Sequence, residues 1–380
     1  VSFYEAPTRK ELWNLLDQTC SENCDYVVIP HNSNLSNGYM FEKPDQDEIL
    51  IQSTKEPLVE IFQHKGSSEC NIDPNDPLCN FEQLPYKDFR SKFQNDLSSS
   101  PDSSFVREAL GKGLLSQDRQ SINPLKFGVI ASTDTHLGTP GAVDESSFQG
   151  HGGAGKSFRS SIPEGLPDDI EFNPGGLAVA WAEENSRSAI FDAFQRKEVY
   201  GTSGPRFIVR FFVGDNLDKN LCNNPDNISY AYANATPMGG TIASDSLSQP
   251  SIFISASADS SIKDQFIEKL QVVKGVVRNG ELLTTVHDVG VTNAQSKLDI
   301  ANCEVTGSGE KAMCSVWNDP NFNSSENAYY YVRVVANKSC RWSHNLCLQN
   351  PEYCEADSDA SIPKAIQERA WTSPVWLETT

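Results

Sequence analysis

The sequence predicts an α/β protein in which a barrel-like α/β part, residues 1–204, is followed by a β-rich, sandwich-like domain, residues 205–380. Three observations predict this class. Short apolar segments alternate with helical patterns in the first part, which is typical of a mainly parallel sheet. In the second part, β-rich segments follow one another between turn-forming residues, and helical periodicity is nearly absent. Closely spaced strands of this kind are typical of antiparallel sandwiches.

The first part contains three helical patterns and four extended ones. A capping-box pattern, Thr8–Glu11, begins a helix expected over residues 9–18. A second helix is expected over residues 103–115, and Asn185 or Ser186 caps a third. Strands are expected at the apolar runs 26–29, 57–62, 127–131 and 177–181.

The second part is a series of extended segments. Its expected strands are residues 206–213, 251–258, 269–277, 281–286, 311–317 and 328–335.

Composition and net charge limit the kinds of molecule that the chain is expected to bind. Hydrophobic residues make up 38% of its 380 residues, and no apolar run is long enough to span a bilayer. The formal net charge of -20 argues against binding to nucleic acid or to an anionic membrane surface. A small anionic substrate would therefore need local positive charge or metal ions.

Cysteines and glycosylation sequons predict an extracellular or other oxidising, extracytoplasmic location. The ten cysteines lack the Cys-x-x-Cys spacing of zinc sites, so disulfides are favoured, with their connectivity open. For a eukaryotic source, the five Asn-x-Ser/Thr sequons agree with secretion. The disulfide candidates are Cys70, Cys79, Cys303, Cys314, Cys340, Cys347 and Cys354, and the sequons are Asn34, Asn227, Asn234, Asn323 and Asn337.

Polar side chains follow three of the predicted strands. His31 and His64 each come after one strand, and Asp134 and His136 come after the strand at residues 127–131. The carboxyl ends of parallel strands meet at one edge of a sheet, and imidazole and carboxylate are ligands for zinc, manganese or iron. Glu60 is expected to face the same site. The alternatives are structural histidines, a turn capped by Asp134, and a buried Glu60 paired with Lys65 or an arginine.

Residues 150–157 match the P-loop pattern letter for letter. That loop needs an apolar strand directly before it and a helix directly after it, and neither flank has such a pattern. A flexible Gly-rich lid bearing His151 and Lys156 is the favoured interpretation. Lys156, Arg159 and, in a separate segment, Arg206 are candidates for contacts with an anionic substrate.

Longer motifs resemble a family related to the PHP (polymerase and histidinol phosphatase) phosphoesterases, catalogued mainly as a domain of unknown function. The motifs are Ile29–Gly38, Glu60–Gly66 and Ala131–Gly141, with further hallmarks at residues 175–185, 200–206 and 366–376. The resemblance covers nearly the whole chain.

The resemblance implies a distorted (β/α)7 barrel with two or three divalent metal ions, zinc, manganese or iron, at its carboxyl face. Asp134 and His136 match the last PHP metal motif, Asp-x-His, and His31 matches a single-histidine ligand. The PHP pattern assigns no role to His64 and Glu60, which we take as catalytic candidates. PHP enzymes hydrolyse phosphoesters through attack by a metal-bound hydroxide.

The chain departs from the PHP pattern in lacking the early His-x-His motif. It is therefore expected to be a carboxyl-terminal portion with an incomplete metal cluster, and its own missing amino-terminal segment is a possible partner. The expected function is a secreted metal-dependent hydrolase, foremost a phosphoesterase. The alternative is a non-catalytic extracellular structural or assembly protein on a PHP-like scaffold.

Overall fold

The computed structural model describes residues 1–380 except 3, 21, 23, 37, 43–45, 84–103, 137, 139, 149–171, 350, 352–361 and 380. Helices in this part are α1 (Arg9–Thr19), α2 (Gln46–Lys55), α3 (Val106–Gln120), α4 (Arg187–Arg196), α5 (Asn227–Asn234) and α6 (Trp342–Gln349), with short 3₁₀ turns at Ser33–Leu35, Tyr39–Phe41, Pro77–Asn80, Leu221–Asn223 and Ser244–Ser246.

All described strands longer than six residues lie after residue 205. In chain order the strands are β1 (Leu58–Gln63), β2 (Gly66–Ser67), β3 (Gly128–Ala131), β4 (Leu177–Ala180), β5 (Val199–Thr202), β6 (Ile208–Asp215), β7 (Ala235–Pro237), β8 (Thr241–Ala243), β9 (Pro250–Ser257), β10 (Ile267–Arg278), β11 (Glu281–Val291), β12 (Ser296–Asp299), β13 (Glu304–Gly307), β14 (Ala312–Asn318), β15 (Ala328–Ala336), β16 (Ser339–Cys340), β17 (Ala365–Ile366), β18 (Arg369–Thr372) and β19 (Val375–Glu378).

Three sheets form the main layers. The first has the order β2-β1-β3, with β1 and β3 parallel. The largest has the order β11-β10-β15-β18-β5-β4, and β19 joins it by pairing with β15 and with β8. The third is antiparallel, in the order β14-β9-β6-β7. Among the described residues no sheet closes into a barrel, so the chain is a mixed α/β protein with several open sheets.

The largest sheet is buried on both faces, as strand β15 shows. Because side chains alternate along a strand, Tyr330, Val332 and Val334 point to one side. They share a core with apolar residues of β6 and β9 in the antiparallel sheet. Tyr329 and Tyr331 point to the other side, where the core includes residues of β1, β3 and α3.

A buried ion network joins the two layers on this second side. Arg333 of β15 pairs with Glu69 at 3.0 Å and with Asp76 at 2.9 Å. Arg107 of α3 pairs with the same two carboxylates at 2.8 and 2.9 Å. Trp371 of β18 donates its indole N–H to Glu69 at 2.7 Å. Each of these five residues is at most 5% exposed.

Most expected elements are confirmed. The capping box forms at Thr8 and Glu11, and Ser186 caps α4. Strands occur at each expected position after residue 205, although the short helices α5 and α6 were not expected. No helix in the described part of the chain is long and apolar enough to cross a bilayer.

Two expectations are wrong. Residues 26–29 form no strand, because this segment makes isolated hydrogen bonds, such as Val28 N to Lys55 O at 2.9 Å, instead of a continuous ladder. The first half is also not mainly parallel, since β4 and β5 pair antiparallel. The division at residue 204 remains a prediction, and a sheet crosses it, because β5 pairs with β18.

Candidate functional site

The candidate site lies where β1 and β3 end. These parallel strands are adjacent, and their register pairs Phe62 with Ala131. The residues that follow them, His64 and Ser132–Asp134, therefore lie at the same edge of the sheet. The sequence-based expectation that polar side chains gather at this edge holds for His64, Asp134 and His136.

A single carboxylate lies between two imidazoles. The Nε2 atom of His64 is 3.6 Å from Oδ2 of Asp134, and the Nε2 atom of His136 is 3.3 Å from Oδ1. The two imidazole rings are 6.3 Å apart and nearly perpendicular. Asp134 has a φ of 52°, a left-handed conformation that costs a non-glycine residue free energy.

Exposure differs sharply between the two histidines. The side chain of His64 is 7% exposed and contacts the ring of Phe172 edge-on, with centroids 5.7 Å apart. That of His136 is 74% exposed. One imidazole is therefore fixed by packing, and the other reaches Asp134 from the solvent side.

Glu60 is buried below the histidines. It is 4% exposed, accepts a hydrogen bond from Gln63 Nε2 at 2.7 Å and accepts a short one from the Ser132 hydroxyl. Burial raises the pKa of Glu60, although the positive charge of Lys65 and these two hydrogen bonds act in the opposite direction. A raised pKa suits a carboxyl group that exchanges a proton near neutral pH.

Lys65 is a residue at this site to which the sequence assigned no functional role. It is 1% exposed, and its ammonium donates to the Oδ1 atom of Asn34 at 2.7 Å. Burial lowers the pKa of Lys65 to about 8, and the charges of Glu60 and Asp134 oppose that shift. Sequence analysis named a lysine only as a structural partner of Glu60. Its position directly after His64 was the one available signal.

His31 lies apart from the other candidate ligands. Its side chain is exposed, and its Nδ1 atom is 3.3 Å from the carbonyl oxygen of Ile29. It forms no ion pair or hydrogen bond with Asp134 or His136. Its backbone carbonyl accepts a hydrogen bond from Gln63 Nε2 at 3.2 Å, and its charge acts against the rise in the pKa of Glu60.

Two groups of described residues bring three possible metal donors within 4.8 Å of one another, and His64, Asp134 and His136 are not such a group. Both contain cysteines that are oxidised to disulfides, so these offer no thiolate to a metal ion. The groups are Cys303, Cys340 and His344, and Cys70, Asp76 and Cys79.

Of the four candidate substrate contacts, only Arg206 lies in the described part of the chain. His151, Lys156 and Arg159 lie outside the described residues. Arg206 is exposed, and its backbone N–H donates to Asp259 at 2.7 Å, beside a different cavity.

Four disulfides join described cysteines. They are Cys20–Cys24, Cys70–Cys79, Cys222–Cys314 and Cys303–Cys340. Cys303 and Cys314, which are close but not adjacent in sequence, therefore form disulfides with different cysteines. Cys347 is also disulfide-bonded, and Cys354 lies outside the described residues. The disulfides are compatible with an extracellular, oxidising location.

The five sequons differ in accessibility. Asn34 and Asn337 are 1% and 3% exposed, and their amide N–H groups donate to backbone carbonyls. A glycan on either amide would have to displace these hydrogen bonds. Asn234 and Asn323 are exposed, and Asn227 is half-buried.

Comparison with known proteins places the chain in one family. No curated protein and no solved structure matches it. A family model described as "protein of unknown function (DUF3604)" matches residues 1–379. The chain therefore belongs to the DUF3604 family.

Proposed function

We propose that this chain carries the site of a metal-dependent hydrolase, in which His64, Asp134 and His136 hold a divalent ion and phosphoesters are the substrate class. The observation that carries the proposal is a carboxylate whose two oxygens lie 3.6 and 3.3 Å from two imidazole nitrogens. The resemblance of its motifs to PHP-related phosphoesterases supports the substrate class and a barrel-derived scaffold.

The three residues offer donor types that such an ion accepts. Their donor atoms do not all lie within 4.8 Å of one another, so binding an ion would require the side chains to move closer. Two imidazole nitrogens and one carboxylate oxygen are ligands that zinc, manganese and iron accept. The partial exposure of Asp134, at 28%, leaves room for a substrate to approach. When bound, the ion would act as a Lewis acid on a phosphoryl oxygen.

Neighbouring residues would position the ligands and handle a proton. Ser132 and Gln63 each donate to one oxygen of Glu60, which fixes the orientation of its carboxyl group. With its raised pKa, Glu60 would hold or release a proton at the floor of the site. Lys65 would balance part of the negative charge of Glu60 and Asp134, the two carboxyl groups that act on its ammonium.

Metal content of the purified chain tests the proposal. We expect about one divalent transition metal per chain in the wild type, by inductively coupled plasma mass spectrometry. Asp134→Asn should lose most of it, because the amide is a neutral and weaker donor. Asp192→Asn, an exposed position on α4, is the matched control and should keep it.

Activity is the second measurement. Hydrolysis of bis(p-nitrophenyl) phosphate should fall at least 100-fold in Asp134→Asn and stay unchanged in Asp192→Asn. Equal metal content in wild type and Asp134→Asn would instead favour the non-catalytic alternative, an extracellular structural or assembly protein.

A further inference from the structure

A serine hydroxyl and a buried carboxylate meet at the edge of the sheet β2-β1-β3. The hydroxyl of Ser132 donates a hydrogen bond to the Oε1 atom of Glu60. Ser132 follows β3 directly and lies two residues beyond Ile130, which the register of the sheet pairs with Glu60. Since side chains at positions i and i+2 of a strand point the same way, Ser132 and Glu60 lie on one face. Leu58 and Ile130 pack together on that face.

The hydroxyl of Ser132 is oriented as a nucleophile requires. Its one proton points to Glu60, and one of its two lone pairs accepts a hydrogen bond from the backbone N–H of Asp134 at 3.3 Å. The second lone pair is the one that can attack a substrate. Ser132 is only half-buried and so remains accessible to a substrate, whereas Glu60 is 4% exposed.

The carboxylate of Glu60 has the partners of a general base. Its second oxygen, Oε2, accepts a hydrogen bond from Gln63 Nε2 at 2.7 Å, and the same amide group donates to the carbonyl oxygen of His31 at 3.2 Å. A base that contacts the nucleophile and is itself held by a third group is the arrangement that activates serine hydroxyls. A buried carboxylate also accepts a proton more readily than a solvated one, because burial disfavours its charged form.

We propose that Ser132 is the nucleophile of the proposed phosphoester hydrolase and that Glu60 is its general base. The serine oxygen bonds to phosphorus as the bond from phosphorus to the leaving oxygen breaks, and the hydroxyl proton passes to Glu60 and then to the departing oxygen. Water then attacks the phosphorylated serine and gives a proton to Glu60, which returns it to Ser132 as the phosphoryl product leaves. The substrate class rests on the proposed function, whereas the nucleophile and its base rest on the contacts described above.

Labelling of the full chain with diisopropyl fluorophosphate tests the nucleophile without turnover of a phosphoester, because an activated serine displaces the fluoride of this compound. Peptide mass spectrometry of the wild type should find the diisopropylphosphoryl group on Ser132. Glu60→Gln should slow the labelling at least about tenfold, since the amide accepts no proton. Two other serines donate to carboxylates and should stay unlabelled. Ser203 is buried, and Ser248 is exposed beside a solvated carboxylate.

Activity and metal content separate this proposal from the proposed function. In Ser132→Ala, hydrolysis of bis(p-nitrophenyl) phosphate should fall by about 100-fold or more, while the metal content stays that of the wild type, unlike in Asp134→Asn. Ser248→Ala is the matched control and should keep both.

Three results would overturn the assignment of Ser132 as the nucleophile. They are absence of the label from Ser132 in the wild type, hydrolysis by Ser132→Ala at the wild-type rate, and labelling of Ser248 as fast as that of Ser132. A label on Ser132 in a chain that hydrolyses no phosphoester would support the nucleophile and refute the proposed function.

Discussion

Replacing Glu69 by glutamine should loosen the contact between two layers of the fold. The Oε1 atom of Glu69 accepts hydrogen bonds from Arg107, Arg333 and Tyr331 at 2.8, 3.0 and 2.7 Å. Its Oε2 atom accepts one from Trp371 at 2.7 Å and one from Arg333 at 3.2 Å. A glutamine keeps the shape but removes the charge and turns one acceptor into a donor that faces other donors.

The negative charge of Glu69 determines how much stability the substitution removes. A lost neutral hydrogen bond costs about 1 kcal/mol, whereas removing one partner of a buried ion pair costs about 3–5 kcal/mol. Asp76 continues to pair with both arginines, so part of their charge stays compensated. We therefore expect Glu69→Gln to lower the free energy of unfolding by about 3 kcal/mol, at the lower end of that range.

Urea unfolding followed by fluorescence measures this loss, with Glu281→Gln as an exposed control expected to stay within about 0.5 kcal/mol of the wild type.

Burial alone would raise the pKa of Glu69, but the charges of Arg333, Arg107 and Arg369 lower it below its ordinary value of 4.5. A lowered folded-state pKa stabilises the protein above that value, and the gain is lost as the pH falls through and below it. The difference between wild type and variant should therefore shrink in acid. A loss under 1 kcal/mol at pH 7, or one that grows below pH 4, would refute the reasoning.

Two further predictions concern covalent features. The Cys222–Cys314 disulfide closes a loop of 92 residues, and the Cys20–Cys24 disulfide closes one of 4. Loop entropy therefore predicts that replacing the first pair by alanine lowers the free energy of unfolding by about 4–5 kcal/mol, and that replacing the second lowers it by about 2 kcal/mol. Equal losses in urea unfolding would contradict the entropic account. In a eukaryotic secretory host, peptide mass spectrometry should find a glycan on the exposed Asn323 and none on the buried Asn34. Full glycan occupancy at Asn34 would contradict its burial.

Sequence patterns predicted the structure correctly where the burial of a residue follows from its local pattern. The apolar run before Asp134 is buried and extended, and the polar residues after it lie at the sheet edge as expected. Asn34 shows the opposite case. Its sequon is a local pattern that carries no information on burial, which depends on how the chain folds over residues 65–68.

The burial of Lys65 and its contact with Asn34 could not be predicted, for a related reason. A lysine after a strand is ordinarily solvated, and nothing near it in the sequence shows that Asn34 supplies an acceptor from 31 residues away. The direction of β4 relative to β5 was equally inaccessible, because a strand, a helix and a strand in succession are compatible with either orientation. Such features depend on contacts between distant segments, which periodicity does not encode.

The charge balance at the sheet edge bears on which substrate the site can accept. Two carboxyl groups, Glu60 and Asp134, act on the single ammonium of Lys65, and the whole chain carries a formal net charge of -20, so without a metal ion the surroundings of the site are unfavourable for an anion. A divalent ion held by His64, Asp134 and His136 would reverse the local sign to positive. Protonation of Glu60, whose pKa burial raises, would add to that. In the proposed function, metal loading therefore has to precede binding of an anionic phosphoester, and the affinity for inorganic phosphate should depend on the bound ion.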